Sequence, residues 1–197
     1  MKNNFLTIKD FEIAKSQVIE KIYNQDLIKS KGPWKKGRHL KVLDEYKDES
    51  YEYINKTLRG HFINQLRVSK EDINNKIKLL DFIINEKVNI GEILYRVAKY
   101  NVSSDIKKLN IGDIYNEKAF LSTSLNEKTV NSYLRYERSM PLSNPIKMII
   151  EIDSNVKGIK LKNKPGQTKE DEILLQRNLN LQLIKKNQNV YYFKTIK

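Results

Sequence analysis

Apolar residues recur every three or four positions through the first half of the chain, the spacing of a helix with one buried face. Phe11, Ala14, Val18 and Ile22 form one such stripe, behind Thr7 and Asp10, which stand three apart as in a capping box. Lys31-Gly32-Pro33 breaks that helix. A second helical stretch is predicted over about 40–66, with Tyr51, Ile54 and Leu58 on one face. Ser69 with Asp72 caps a third, striped by Ile73, Ile77, Leu80 and Ile84. These stripes read as core.

From Glu92 the texture changes. Short runs rich in apolar and β-branched residues occupy 93–97, 119–124, 146–152, 172–175, 180–184 and 190–196, separated by Asn, Gly, Pro and Ser. Helices first and strands later imply an α+β protein, its N-terminal helices packed against a mostly antiparallel sheet. No repeat, low-complexity tract or long linker divides the 197 residues. A single domain over 1–197 is expected, helical to about 90 and strand-rich from about 91.

Composition narrows the chemistry. There is no cysteine and there are only two histidines, His39 and His61. Thiolate sites, disulfides and histidine-rich metal centres are therefore poorly supplied, and carboxylates, arginines and hydroxyls must carry any reaction. The net charge of +13 favours acidic or phosphorylated partners. The lysines are dispersed, however, and no nucleic-acid motif accompanies them, so no specific nucleic-acid partner is expected. No stretch is apolar enough for a membrane span, and Asp10 and Glu12 interrupt any N-terminal signal core.

Three features sit on or beside predicted strands. Arg96, in ILYRV, is costly to bury unless an anion pairs with it, although an edge-strand arginine can keep its head in water. In Ser122-Thr123-Ser124, alternation sends Ser122 and Ser124 to one face and Thr123 to the other. Hydroxyls there can orient a carboxylate, bind a cofactor, or simply pack at a strand end. Glu170 and Glu172 bracket Asp171 ahead of Ile-Leu-Leu, which draws Glu172 into the core layer, where its charge needs partners such as Arg96 or Ser122. A plain charged turn is the alternative.

The order of these features resembles a known family. Arginine on a strand, then aromatic-x-Ser-Thr-Ser (FLSTS, with Phe120 as the aromatic), then Glu-x-Glu-aliphatic (EDEILL) is the pattern of bacterial mono-ADP-ribosyltransferase toxins. Tyr53-Ile54-Asn55-Lys56-Thr57-Leu58-Arg59 is similar to the family's helix, in which Ile-Asn stands three residues before Leu-Arg. The resemblance runs from about residue 40 to 197, toward the enzymatic components of clostridial binary toxins, vegetative insecticidal toxins and Rho-modifying exoenzymes. It implies the α+β fold of that family, with a mixed, mostly antiparallel β-sandwich core.

It also implies roles. NAD is the substrate, and no metal is needed. Glu172 is expected to bond the nicotinamide-ribose 2′-hydroxyl and stabilise positive charge, Arg96 to grip the NAD phosphates, and Ser122 to hold Glu172. Asn55 and Arg59 are expected to position the cofactor from the helix, with Phe120, Thr123, Ser124 and Tyr133 also at its site. Glu170 points to an arginine acceptor on a host protein, with actin first and a small GTPase as the alternative. The loop Pro165-Gly166-Gln167-Thr168-Lys169 lacks the aromatic that relatives often present to their target, and the segment 134–144 is longer than theirs. A secreted monomer acting in the host cytosol, with a possible translocation partner, fits the resemblance. Other readings are a Rho-directed asparagine transferase, an NAD glycohydrolase, or a non-catalytic basic module binding nucleic acid or membranes.

Overall fold

The computed structural model describes residues 42–43, 45–46, 51–61, 69–89, 91–161 and 171–197. The helix predicted behind Thr7, its break at Lys31-Gly32-Pro33, the loop 165–169 and Glu170 lie outside these residues. The chain divides into two compact units, Met1–Glu86 and Lys87–Lys197.

In the first unit, helix α1 (Tyr51–Leu58) buries Ile54 and Asn55. Helix α1 ends at Leu58, where Gly60 adopts φ 86°, a left-handed conformation that glycine tolerates without a Cβ penalty; 62–66 of the predicted stretch lie outside the described residues. Gly60 N–H then bonds Thr57 O at 3.0 Å and His61 N–H bonds Lys56 O at 2.8 Å, a Schellman closure. Helix α2 (Lys70–Ile83) starts where the sequence indicates: Ser69 Oγ accepts from Asp72 N–H at 3.0 Å. Ile73, Ile77 and Leu80 are buried, as is Ile84 at its C-cap. Lys76 ties this unit together, reaching Glu45 at 2.7 Å and the Tyr53 hydroxyl at 3.2 Å.

The second unit is built on a sheet. Its strands are β2 (Ile93–Ala98), β3 (Ile114–Glu117), β4 (Leu121–Ser124), β5 (Ile146–Glu151), β6 (Lys157–Lys160), β7 (Glu172–Leu175), β8 (Leu179–Asn187) and β9 (Val190–Ile196). With the two-residue β1 (Glu86–Lys87) at one edge, the order is β1-β6-β7-β4-β2-β5-β9-β8-β3. The β5–β9 pair is parallel, and the pairs β2–β4, β2–β5, β3–β8, β4–β7, β6–β7 and β8–β9 are antiparallel. This is the mixed, mostly antiparallel sheet of the expected α+β class. β4 meets β2 at one residue pair, Tyr95↔Ser124, so a narrow joint divides the sheet into two parts. Leu94, Met148, Ile150, Leu174, Leu181 and Phe193 are buried in the core.

Two helices interrupt the strands. Helix α3 (Tyr100–Lys107) follows β2, and helix α4 (Glu127–Ser139) follows β4. Neither is expected from the helices-then-strands pattern, because their buried faces are partly polar. Ser103 accompanies Ile106 in α3, and Glu137 accompanies Val130 and Leu134 in α4. Strand β6 is not expected from the sequence for the same reason: Gly158 and Lys160 take two of its three buried positions.

Candidate active site

Strands β4 and β7 run antiparallel with Ser124 opposite Glu172, Thr123 opposite Ile173 and Ser122 opposite Leu174. Opposed side chains in such a pair share a face, so Ser122, Ser124 and Glu172 lie on one side and Thr123 with Ile173 on the other. Ser122 and Glu172 are diagonal neighbours. The Ser122 hydroxyl donates to Glu172 Oε1 at 2.5 Å, the length of a charge-assisted bond to a carboxylate. Both residues are half-buried.

Arg96 completes the group. It stands on β2, inside the sheet between β4 and β5 rather than on an edge, and its Nη1 donates to the Ser122 carbonyl at 2.6 Å. One serine therefore binds the arginine through its backbone and the glutamate through its hydroxyl. A cation and a carboxylate are thereby set beside a single short strand.

The other residues of the Ser-Thr-Ser element take different partners. Thr123 is buried and donates to Ile173 O at 2.8 Å, locking β4 to β7. Ser124, also buried, accepts from Asn126 N–H at 2.9 Å and shapes the turn into α4. Phe120 is wholly buried.

In the helical unit, Asn55 Nδ2 donates to the Tyr46 hydroxyl at 2.9 Å, while its Oδ1 is buried without a hydrogen-bond partner among the described residues. Arg59 sits in the turn that closes α1, its N–H bonded to Asn55 O at 3.1 Å.

Helix α4 leaves the end of β4 and is anchored by charges that sequence reading missed. Asn126 caps it, accepting from Lys128 N–H at 3.1 Å and Thr129 N–H at 3.2 Å. Lys147 on β5, buried, bonds Glu127 and reaches Asn131 Oδ1 at 2.7 Å. At the far end Lys99 bonds Glu137 at 2.7 Å and the Tyr133 hydroxyl at 3.1 Å, and Ser143 donates to Glu137 at 2.6 Å. Tyr133 stands on this helix, half-exposed, with its ring stacked on Tyr136 at 6.4 Å between centroids. Burial opposes the charge on Lys99, but its bonds to Glu137 and Tyr133 outweigh it and raise its pKa. Burial likewise opposes the Glu137 carboxylate, yet Lys99 and Ser143 hold its pKa below the ordinary value. Burial raises the Tyr133 hydroxyl. The available signal was Asn126 ahead of Val130 and Leu134 at helical spacing.

The model of ADP-ribosyltransferase exoenzymes matches residues 19–194. The chain belongs to that family. It is therefore an NAD-dependent ADP-ribosyltransferase of the bacterial toxin type.

Solved structures share the fold. Vis toxin, an ADP-ribosyltransferase from Vibrio splendidus, aligns with TM-score 0.61 and 21% identity over 94% of this chain and 86% of its own. BECa, an ADP-ribosylating toxin of a binary enterotoxin of C. perfringens, gives 0.61 and 18% over 93% of this chain and 48% of its own, so this exoenzyme spans about half of BECa. C3larvin from Paenibacillus larvae gives 0.54 and 18% over 90% and 94%. Vis has been solved with agmatine and BECa with NADH. No curated protein matches the chain in sequence. Among the described residues no cluster of three or more His, Asp or Glu is placed to hold a metal, and no helix is long and apolar enough to cross a membrane.

Proposed function

We propose that this exoenzyme transfers ADP-ribose from NAD to an arginine side chain of a host protein, with Glu172 as the catalytic carboxylate. The observation that carries the reading is the bonded chain Arg96–Ser122–Glu172. These residues fit NAD in kind: a guanidinium suits phosphate oxygens, and a fixed carboxylate suits a sugar hydroxyl. NAD supplies a glycosidic bond whose cleavage leaves positive charge on the sugar. Glu172 places its negative charge beside that carbon and accepts from the 2′-hydroxyl. Ser122 keeps the carboxylate in one rotamer, so little reorganisation is left for the moment of reaction. Arg96 binds the phosphates. The parts of Asn55, Arg59, Phe120, Thr123, Ser124 and Tyr133 at the cofactor rest on the resemblance alone.

Glu170, two residues before Glu172, directs the choice of acceptor. A carboxylate there orients a guanidinium and takes up its proton as it attacks. The agmatine complex of Vis supports this, since agmatine is a small guanidine. Among host proteins actin is the first acceptor to test, ahead of small GTPases, on the likeness to binary-toxin enzymes. Secretion and action in the host cytosol follow from the same reading.

The test is incubation with labelled NAD and a host-cell lysate, with agmatine in a parallel reaction. Label on one protein band and on agmatine, lost in Glu170→Gln and Glu172→Gln, supports the reading. NAD cleavage without labelled acceptor, lost in Glu172→Gln and kept in Glu170→Gln, replaces it with a glycohydrolase. No NAD turnover at all sinks it.

A further inference from the structure

Glu172 is the first residue of β7, and the apolar pattern of that strand does not say which face it takes. Ile173, Leu174 and Leu175 are all buried, so both faces of β7 are covered by protein. Alternation orients a strand only where its two faces differ in polarity. The facing of Glu172 is marked instead by polar contacts at the start of the strand. Its own carboxylate takes the Ser122 hydroxyl on one face. Asp171, immediately before it, turns to the other.

Asp171 has a backbone φ of 44°. For a residue with a Cβ this left-handed conformation is uncommon, though aspartate adopts it more readily than most, and it persists where surrounding contacts enforce it. Two of those contacts run through the main chain and are indifferent to the side chain. Leu125 N–H donates to the Asp171 carbonyl at 3.1 Å, and Leu161 N–H donates to the Glu172 carbonyl at 2.8 Å. The third depends on the side chain: the Asp171 carboxylate pairs with Lys160 Nζ at 3.1 Å. Lys160 ends β6 opposite Ile173, so it shares the face of Ile173 and Thr123 rather than that of Ser122 and Glu172. Its side chain is only 10% exposed, and an ammonium so placed is costly unless paired. Two neighbouring carboxylates are thus drawn to opposite faces, Glu172 by a hydroxyl and Asp171 by a cation, and the backbone between them is fixed.

We infer that Lys160 is a positioning residue for the Glu172 carboxylate. By pairing with Asp171 it holds the backbone from which Glu172 projects, as Ser122 holds the tip of the side chain. Lys160 acts from the opposite face of the sheet and through Asp171, without touching the reacting groups. The inference rests on the proposed role of Glu172 as the catalytic carboxylate, and it concerns the cleavage of NAD alone.

The experiment uses the full chain and NAD, following nicotinamide release at steady state, with thermal unfolding as the check on folding. In Lys160→Met the kcat per folded enzyme falls by about tenfold, the order expected when a reacting group is slightly misplaced. The KM for NAD stays within about twofold. Lys160→Arg, which keeps the charge, recovers at least half of the kcat. Because Lys160 and Ser122 act on the same carboxylate, Lys160→Met costs less in a Ser122→Ala background than in wild type, by about threefold or more. If Lys160→Met does not fold, the double variant Lys160→Met/Asp171→Asn removes both charges and is read the same way. A kcat within twofold of wild type, a loss that Lys160→Arg shares in full, one carried by the KM for NAD, or one equal in the two backgrounds overturns the inference and leaves the role of Glu172 standing. A Glu172→Gln chain that cleaves NAD at the wild-type rate overturns both.

Discussion

Ser122 donates to Glu172 at 2.5 Å although the two are not cross-strand partners; Glu172 faces Ser124, and Ser122 reaches it along the diagonal of the β4–β7 ladder. The nearer hydroxyl in register, that of Ser124, is occupied with the turn before α4. Removing the Ser122 hydroxyl therefore takes away the bond to Glu172 Oε1. We expect Ser122→Ala to lower the rate of nicotinamide release by about 10- to 100-fold with little change in the KM for NAD, read by steady-state kinetics. A rate within twofold of wild type would remove Ser122 from its assigned role.

The two glutamates are expected to separate by reaction. Glu172→Gln keeps the size and removes the charge, and NAD cleavage should fall by about 10³-fold, the scale of losing one preorganised charge-stabilising group. NAD binding, followed by quenching of the single tryptophan or by calorimetry, should persist.

The Lys99–Glu137–Ser143 cluster makes stability depend on pH at both ends. The Glu137 pKa is lowered from its ordinary 4.5, so its contribution is complete above that value and is lost as pH falls through the folded-state value. The Lys99 pKa is raised from its ordinary 10.5, so its contribution is complete below that value and is lost as pH rises through the folded-state value. Stability from this pair should be level between the two and decline outside them. Glu137→Ala, which takes the carboxylate from Lys99 and the acceptor from the buried Ser143 hydroxyl, should cost about 2 kcal/mol at neutral pH and flatten the acid limb in urea unfolding.

Gly158, buried on β6, has no room for a side chain. A Cβ there would sit 2.8 Å from Val88 Cγ2 and 3.0 Å from Leu175 Cδ2. Gly158→Ala should destabilise by about 2 kcal/mol through overpacking beside β7, measured as a lower Tm. A Tm equal to wild type would mean that Val88 and Leu175 yield without cost.

Much of this was legible in the sequence because the signals are local. The bounds of β7 and β9 coincide with the predicted runs, and the Ser69 cap opens α2 where the spacing places it. Alternation alone sent Ser122 and Thr123 to opposite faces, and the order of arginine, Ser-Thr-Ser and Glu-x-Glu sufficed to suggest the chemistry. Elements whose buried positions carry polar or charged groups were not legible. Helix α4 hides Glu137 and β6 hides Lys160, and each looks like a solvated surface until its partner is known.

Those partners lie far along the chain. Lys99 and Glu137 are 38 residues apart, and Ser122 and Glu172 are 50 apart. The sequence by itself determined which candidate residues are present and which way each faces on its strand, since a side-chain period of two is a property of the local backbone. Only the tertiary structure decided that β4 lies between β7 and β2, and hence that one serine joins the arginine to the glutamate. That choice belongs to strand order and register, which follow from packing between distant segments rather than from any one of them.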